Sequence, residues 1–191
     1  MKIYAALLSM MLLPAFAVAS PFEFHQAVYS LHETLIADRK ICTEEEKANY
    51  EGAAAKGFRY IETSYYDADN GLLISRVRRD AARPEYIHIA EAYIYENGRL
   101  VRDFGSITLP WAPLHPVRTF INLHHYNGAL HSLRQYNYEG EVSYESCKGE
   151  LNGKQVRLSL DSIDISKATI ATPEYKACFD GMSTDWKTYT H

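Results

Sequence analysis

The sequence lacks an excess of positive charge, a second apolar run of membrane-spanning length and the short motifs that mark common catalytic sites. Its 24 acidic residues outnumber its 20 Lys and Arg residues, for a formal net charge of −4. Nucleic-acid binding needs a basic face, so we expect no such partner. The chain contains no nucleophile elbow, phosphate loop, dinucleotide fingerprint, zincin helix or haem-attachment motif. An enzyme built on this sequence would therefore have no recognisable motif, and a non-catalytic role is favoured.

One long apolar run is present, at the N-terminus, and it predicts export. Residues 3–16 are mostly apolar, and residues 17–19 read Ala-Val-Ala, the A-x-A pattern of a signal-peptide cleavage site. The run is shorter than the ~20 residues that cross a bilayer. We predict a signal peptide over residues 1–19, no membrane span, and a mature chain from Ser20 in the periplasm or outside the cell.

Apolar residues recur at helical spacing just after the predicted cleavage site. They predict a helix over Phe22–Lys40 whose buried stripe comprises Phe24, Val28, Leu31 and Leu35. The two histidines of this segment, His25 and His32, are interpreted as surface residues. A capping box that begins at Thr43 predicts a second helix over Glu44–Lys56.

Four Asn-Gly dipeptides, at positions 70, 97, 127 and 152, punctuate the middle of the chain. Asn-Gly favours two-residue type I′ hairpin turns because both central residues need positive φ. Four such turns imply about eight antiparallel strands. A two-residue turn also fixes register, so the predicted pairs include Glu96–Arg99, Ile94–Val101 and, around the Glu139-Gly140 turn, Tyr138–Glu141, Gln135–Tyr144 and Arg134–Glu145.

We predict a single α+β domain over residues 20–191. N-terminal helices (22–56) pack on a curved antiparallel meander of about eight strands (58–160), open or partly closed into a barrel, and an irregular tail follows (161–191). This architecture broadly resembles lipocalin-type barrels and the half-barrels of periplasmic lipoprotein carriers. The resemblance is one of architecture, carried by no residue motif, so it implies no particular activity.

The chain has three cysteines, and export favours a disulfide between two of them. We favour Cys147–Cys178, which would tie the irregular tail to the end of a strand. Pairings that involve Cys42 remain open.

The Pro-rich segment Pro110–Pro116 interrupts the predicted meander. Its three prolines cannot donate ladder hydrogen bonds, which predicts a stiff connector outside the regular sheet. The connector carries one of only two tryptophans.

The predicted function is an exported binding or carrier protein for a small, partly apolar ligand or a peptide, with Trp111, His115 and Tyr126 as ligand contacts. A protein–protein interaction module is an alternative.

A histidine pair gives a further alternative, a metal-binding protein. A two-residue turn at Asn127-Gly128 sets His124 directly opposite His131, with Cβ atoms ~5 Å apart, close enough to share Zn²⁺ or Cu²⁺. The sequence names no third ligand.

The other charged residues indicate no site. The carboxylates, among them Asp103, form no recognisable catalytic or metal-binding cluster, and the arginines of residues 76–79 are interpreted as a solvated strand edge.

Overall fold

The computed structural model describes residues 20–51, 56–184 and 186. In this part of the chain, helix α1 precedes nine antiparallel strands, each hydrogen-bonded to the next in sequence order. The sheet is therefore an open meander with β1 and β9 at its edges, broadly as predicted but with nine strands. The predicted signal peptide lies outside the described residues. The elements are α1 (Pro21–Ala37), β1 (Ile41–Asn49), β2 (Arg59–Asp67), β3 (Leu73–Asp80), β4 (Ile87–Glu96), β5 (Arg99–Leu109), β6 (Ala112–Asn127), β7 (Leu130–Tyr136), β8 (Val142–Leu151) and β9 (Lys154–Asp161).

The ninth strand is β1, where the sequence predicted the second helix, Glu44–Lys56. That prediction is wrong: β1 pairs with β2 in continuous register from Ile41–Asp67 to Asn49–Arg59. The capping-box spacing at Thr43 is a local signal, and cross-strand hydrogen bonds along the whole strand outweigh it. Part of the predicted helix, residues 52–55, lies outside the described residues.

The hairpin turns follow the Asn-Gly prediction in two of four cases. Asn97 and Asn152 have φ near +50°, each is followed by a glycine of positive φ, and each pair closes a two-residue turn. At Asn127 the turn is one residue later, since Asn127 pairs with Leu130. The loop at Asn70 is longer, and its Asn70 side chain accepts a hydrogen bond from the Leu72 amide.

Bulges decide where the predicted strand pairs fail. Glu96–Arg99, Gln135–Tyr144 and Arg134–Glu145 are all confirmed. Beyond a bulge at Val101 in β5, however, Ile94 pairs with Arg102 and not with Val101. A bulge beside Tyr136 likewise removes the Tyr138–Glu141 pair, because the Asn137 amide bonds to the Glu141 carbonyl. An unpaired extra residue shifts all later pairs by one.

Helix α1 lies across β3–β6 and buries the predicted stripe. Ser20 is its N-cap and accepts a hydrogen bond from the Glu23 amide, and Pro21 occupies the first turn. The helix ends at Ala37, short of the predicted Lys40. Its Phe24, Val28 and Leu31 are buried against the sheet, and Leu35 packs half-buried on the same core.

The two histidines of α1 are buried, which corrects their interpretation as surface residues. The Nδ1 atom of His25 lies 3.0 Å from the Ser106 hydroxyl, and that of His32 lies 2.7 Å from the Ser75 hydroxyl. Burial lowers the pKa of each imidazole to about 4, so both are neutral at pH 7. The pairs join the helix to β5 and β3 at two points seven residues apart.

The C-terminal segment, predicted as irregular, contains a 3₁₀ turn and two short helices: Ser162–Asp164, α2 (Lys167–Ile170) and α3 (Pro173–Phe179). Helix α3 packs on the same sheet face as α1, and its Tyr175 and Phe179 join the same core. The disulfide Cys147–Cys178 is confirmed and joins β8 to α3, while Cys42 is a free, exposed thiol.

The Pro-rich segment departs in part from its prediction. Pro110 and Trp111 form the β5–β6 turn, but the sheet resumes at Ala112, which pairs with Leu109. The next pair is Thr108–Pro116, so three residues bulge out between them. Prolines are tolerated here because a bulge needs no ladder hydrogen bond from their nitrogen.

Candidate functional site

The sheet face opposite α1 and α3 carries side chains that are polar yet largely withdrawn from solvent. Strand alternation puts Glu91, Asp103, Asn122 and His124 on this face, which we call the polar face. The first three of these residues are each less than 10 % exposed. Buried polar groups need partners, and two hydrogen-bonded networks supply them.

The first network joins β2, β3 and β4 through alternating charges. The Arg76 guanidinium contacts the Glu91 carboxylate at 2.6 Å, and Arg78 contacts Glu62 at 2.7 Å. The Tyr93 hydroxyl donates to Glu91, and burial together with this carboxylate raises the Tyr93 pKa far above its usual value. Arg76 and Arg78 therefore lie on an inner strand in ion pairs, and Arg79 of that strand donates to the Tyr29 hydroxyl, which corrects their interpretation as a solvated edge.

The second network contains the predicted histidine pair. The Nε2 atom of His124 lies 2.6 Å from an Asp103 carboxylate oxygen, and its Nδ1 atom lies 3.0 Å from Nε2 of His131. The other Asp103 oxygen accepts from the Asn122 amide, which in turn accepts from Gln135. A chain of side chains therefore runs from β7 through β6 to Asp103 on β5 and back to His131.

The register that predicted this pair is wrong, although the proximity is present. His124 lies opposite Leu133, and His131 lies opposite Tyr126, because the turn falls at residues 128–129. The two histidines meet diagonally across the strands. Their ring centroids are 5.2 Å apart and their planes differ by 20°, so the rings meet nearly edge to edge.

The Asp103 carboxylate at the end of this network determines which imidazole nitrogens carry protons. A carboxylate only accepts, so a neutral His124 holds its proton on Nε2 and presents an unprotonated Nδ1. His131 then donates from Nε2 and presents Nδ1 outward. Burial, followed by the charges of His124 and Lys148, lowers the pKa of His131, which favours its neutral form. Tyr126 stacks face to face on the His131 ring at a centroid distance of 4.6 Å.

Few side chains of the described residues are placed to bind a metal ion together. Among residues 20–51, 56–184 and 186, no group of three or more His, Cys, Asp or Glu side chains is placed to hold one metal ion. Asp103 contacts the far nitrogen of His124 and does not face the point between the histidines. This arrangement offers two nitrogen ligands with a carboxylate behind one of them.

A cleft of about 540 Å³ opens at the C-terminal end of α1, and we call it the α1-end cleft. It lies between the helix end, the β2–β3 loop and the β4–β5 turn. It is larger than two other clefts, of about 330 Å³ beside Asp80 and about 460 Å³ along β9. Its aliphatic lining comprises Leu35, Leu72, Ile74 and Ile94.

Polar groups lie at the edge of the α1-end cleft. Arg39 lines it, and its guanidinium has no hydrogen-bond or ion-pair partner in the part of the chain that the structure describes. Tyr95 also lines it, and burial, followed by the charges of Asp103 and Tyr126, raises its pKa. Tyr95 therefore stands between the cleft and the histidine network.

The predicted ligand contacts do not come together. Trp111 and His115 are exposed near the β5–β6 turn, at the end of the sheet away from the α1-end cleft. Tyr126 lies at the same end as the cleft, where its hydroxyl donates to the Leu100 carbonyl. Their roles as ligand contacts stay predictions, and the placement of Tyr126 is the one that agrees with this cleft.

Sequence reasoning missed Asp103 and the residues that line the α1-end cleft. Asp103 was one unplaced carboxylate among many, and its pairing with Asn122 depends on the bulged β5–β6 connection. The lining of the cleft comes from three separate segments, so no local pattern marks it. Strand alternation alone would have put Asp103 on the same face as Glu91, had the bulge at Val101 in β5 been known.

The chain was compared with protein-family models, with curated proteins and with solved structures, and none of them matches it. The helices within the described residues are all too short or too polar to cross a membrane. The function proposed below therefore depends on the geometry of the α1-end cleft and the polar face.

Proposed function

We propose that this protein is an exported, non-catalytic binding or carrier protein that holds a small, partly apolar ligand in the α1-end cleft. The observation that carries the proposal is the cleft itself, whose volume of about 540 Å³ lies within the usual range for small-molecule sites. Four aliphatic side chains line it, together with Arg39 and Asp67. The disulfide and the A-x-A sequence support export, since disulfides persist in oxidising compartments.

The lining defines the ligand chemistry. Leu35 and Leu72, which are half-buried in the cleft wall, favour an aliphatic body, because burying apolar surface is worth ~25 cal/mol per Å². Arg39 favours a carboxylate or another anionic group, to which guanidinium donates two parallel hydrogen bonds. The ligand class is therefore an aliphatic acid, either a fatty acid or an apolar peptide that presents its C-terminal carboxylate.

The test uses the disulfide-intact mature chain and two probes, decanoate and decanol. We expect saturable decanoate binding by calorimetry, with methyl NMR shifts concentrated at Leu35, Leu72 and Ile94. Arg39→Glu should weaken decanoate binding at least tenfold and leave decanol binding unchanged. Arg157→Glu, an equally exposed arginine on β9, is the matched control.

Two further results separate the alternatives. If Trp111→Ala or His115→Ala weakens decanoate binding while Arg39→Glu does not, the ligand site lies at the other end of the sheet. If neither probe binds and no ligand is recovered by mass spectrometry of the natively purified protein, the carrier proposal is wrong. Intact mass should start at Ser20, and a retained N-terminus would contradict export with cleavage.

A further inference from the structure

We propose that His124 and His131 form a binding site for one Zn²⁺ or Cu²⁺ ion, with Asp103 as the residue that positions His124. The site depends on residues other than the lining of the α1-end cleft. Each histidine presents one nitrogen to the other at 3.0 Å, and the proton they share occupies the place of the ion. Metal ligation requires an unprotonated nitrogen, and neutral imidazole has one.

The distance between the two nitrogens suits a shared ion. Zinc binds histidine nitrogen at ~2.0–2.1 Å in tetrahedral geometry, which puts two ligand nitrogens about 3.3 Å apart. The observed contact is shorter, at 3.0 Å, and nearly head-on, so ion binding requires a rotation of His131 that makes the two nitrogen lone pairs converge on one point. His131 can make that rotation because it is half-exposed and its stack with Tyr126 allows sliding in the ring plane. On binding, its remaining proton moves from Nε2 to the solvent-facing Nδ1.

Asp103 gives His124 the environment of a metal ligand. A metal-bound histidine usually donates its other N–H to a carboxylate, which fixes the tautomer and strengthens the ligand. Asp103 makes this contact at 2.6 Å and is itself held by Asn122, so the carboxylate is fixed before any ion arrives. This contact distinguishes His124 from His115 of the same strand, which has no such partner in the described chain.

Two protein ligands leave the other coordination positions to water. The ion should therefore bind reversibly and exchange readily, unlike a structural zinc held by four side chains. Lys148 faces His131 across β7–β8 and its positive charge opposes cation binding. Borderline ions that favour imidazole, Zn²⁺ and Cu²⁺, suit this ligand set better than Ca²⁺ or Mg²⁺, which favour oxygen.

The test is a Zn²⁺ titration by calorimetry in a Cys42→Ser background, because the exposed Cys42 thiol is a competing ligand. We expect one ion per chain. His131→Phe keeps a ring that stacks on Tyr126 but removes both nitrogens, so it should abolish binding in a folded protein. Asp103→Asn should weaken binding 10–100-fold. His115→Phe, on an exposed histidine of the same strand, is the matched control and should bind as the parent does.

Imidazole ¹⁵N NMR gives a second measurement, because the chemical shifts report which nitrogens bind the ion and not merely whether the protein is folded. Zn²⁺ should shift Nδ1 of His124 and Nε2 of His131 and move the His131 proton to Nδ1. The proposal is wrong if His131→Phe binds Zn²⁺ like the parent, or if the shifts appear on other histidines. Unchanged affinity in Asp103→Asn would remove Asp103 from the site. Loss of Zn²⁺ binding with intact decanoate binding would leave the cleft proposal standing.

Discussion

The sheet buries polar groups in different chemical forms under α1 and on the polar face. Under α1, His25 and His32 are neutral and each is paired with one serine hydroxyl. On the polar face, Glu91 and Asp103 are carboxylates in networks with arginine, tyrosine, amide and imidazole groups. Within the described chain, no opposite charge lies beside His25 or His32, whereas on the same sheet face under α3 the buried Glu145 is paired with Arg134 and accepts from Tyr175. A charge buried without such partners would lose its solvation uncompensated.

This difference indicates which face supplies most of the stability and which holds the proposed metal site. Apolar packing stabilises the fold on the face covered by α1 and α3, which we call the helix-covered face. The buried polar groups there only need hydrogen-bond partners, so that none is left unsatisfied. On the polar face, charged networks contribute little net stability, because desolvation offsets much of the attraction. Networks of that kind hold side chains in fixed positions, as a ligand site needs.

The largest expected effect is on the helix-covered face. Phe24→Ala removes a fully buried ring from the core and should lower the free energy of unfolding by ~3–5 kcal/mol. Phe120→Ala, on the polar face, should cost less than half as much, because that ring is half-exposed over Gly105. Urea unfolding of both variants measures the difference. Equal losses would show that the polar face is as much a core as the other.

The disulfide should give the next largest effect. Replacing Cys147 and Cys178 by serine removes a link between residues 31 apart, and chain entropy puts the loss at about 3–4 kcal/mol of unfolding free energy. Cys42→Ser should change it by less than 0.5 kcal/mol on the scale of ordinary surface substitutions. Urea unfolding of the three-variant set tests this. A full loss from Cys42→Ser would contradict the pairing.

Acid should lower the free energy of unfolding through His25 and His32, the two buried histidines of α1. Their folded pKa of about 4 lies below the unfolded value of 6.5, so the unfolded state takes up protons first as pH falls. Stability is complete above pH 6.5 and falls progressively down to pH 4, by up to about 3 kcal/mol per histidine. Unfolding of His32→Asn between pH 7 and 4 should show a shallower pH dependence than the parent. An identical slope would contradict a buried neutral His32.

The smallest expected loss of unfolding free energy is for a substitution in the polar-face network. Glu91→Gln keeps the shape but weakens the contacts with Arg76 and Tyr93, and should cost about 1–2 kcal/mol of unfolding free energy, less at high salt. The control is Glu45→Gln, which breaks an exposed pair with Lys47 and should cost less than about 0.5 kcal/mol. If both cost the same in urea unfolding, the Glu91 network is only a surface feature.

Much of the fold could be predicted from the sequence because its signals are local. A helix stripe repeats every three or four residues, and the Asn97 turn depends on the φ angles of two adjacent residues. The same locality explains the failures. The Thr43 capping box is a local signal too, and it lost to pairing with β2. A bulge in β5 shifted the pairs beyond Tyr95–Leu100, whereas a bulge in β8 shifted the pairs nearest the Glu139-Gly140 turn.

The candidate site was predictable only in part. The His124–His131 proximity survived a register error because a diagonal neighbour is still within reach of an imidazole. The carboxylate of Asp103 was beyond prediction, since its place opposite Asn122 depends on how β5 and β6 align after a bulged turn. The α1-end cleft joins three segments, and only folding brings them together.

The sequence by itself determined the antiparallel meander, the buried stripe of α1 and a cysteine count that favours one disulfide. Each depends on interactions within a few residues or on the period of a single element. The tertiary structure decided that Ile41–Asn49 is a strand, that His25 and His32 are buried and neutral, and that Asp103 meets His124. These features depend on contacts between distant segments, whose free energy is gained only when the whole sheet and its covering helices have assembled.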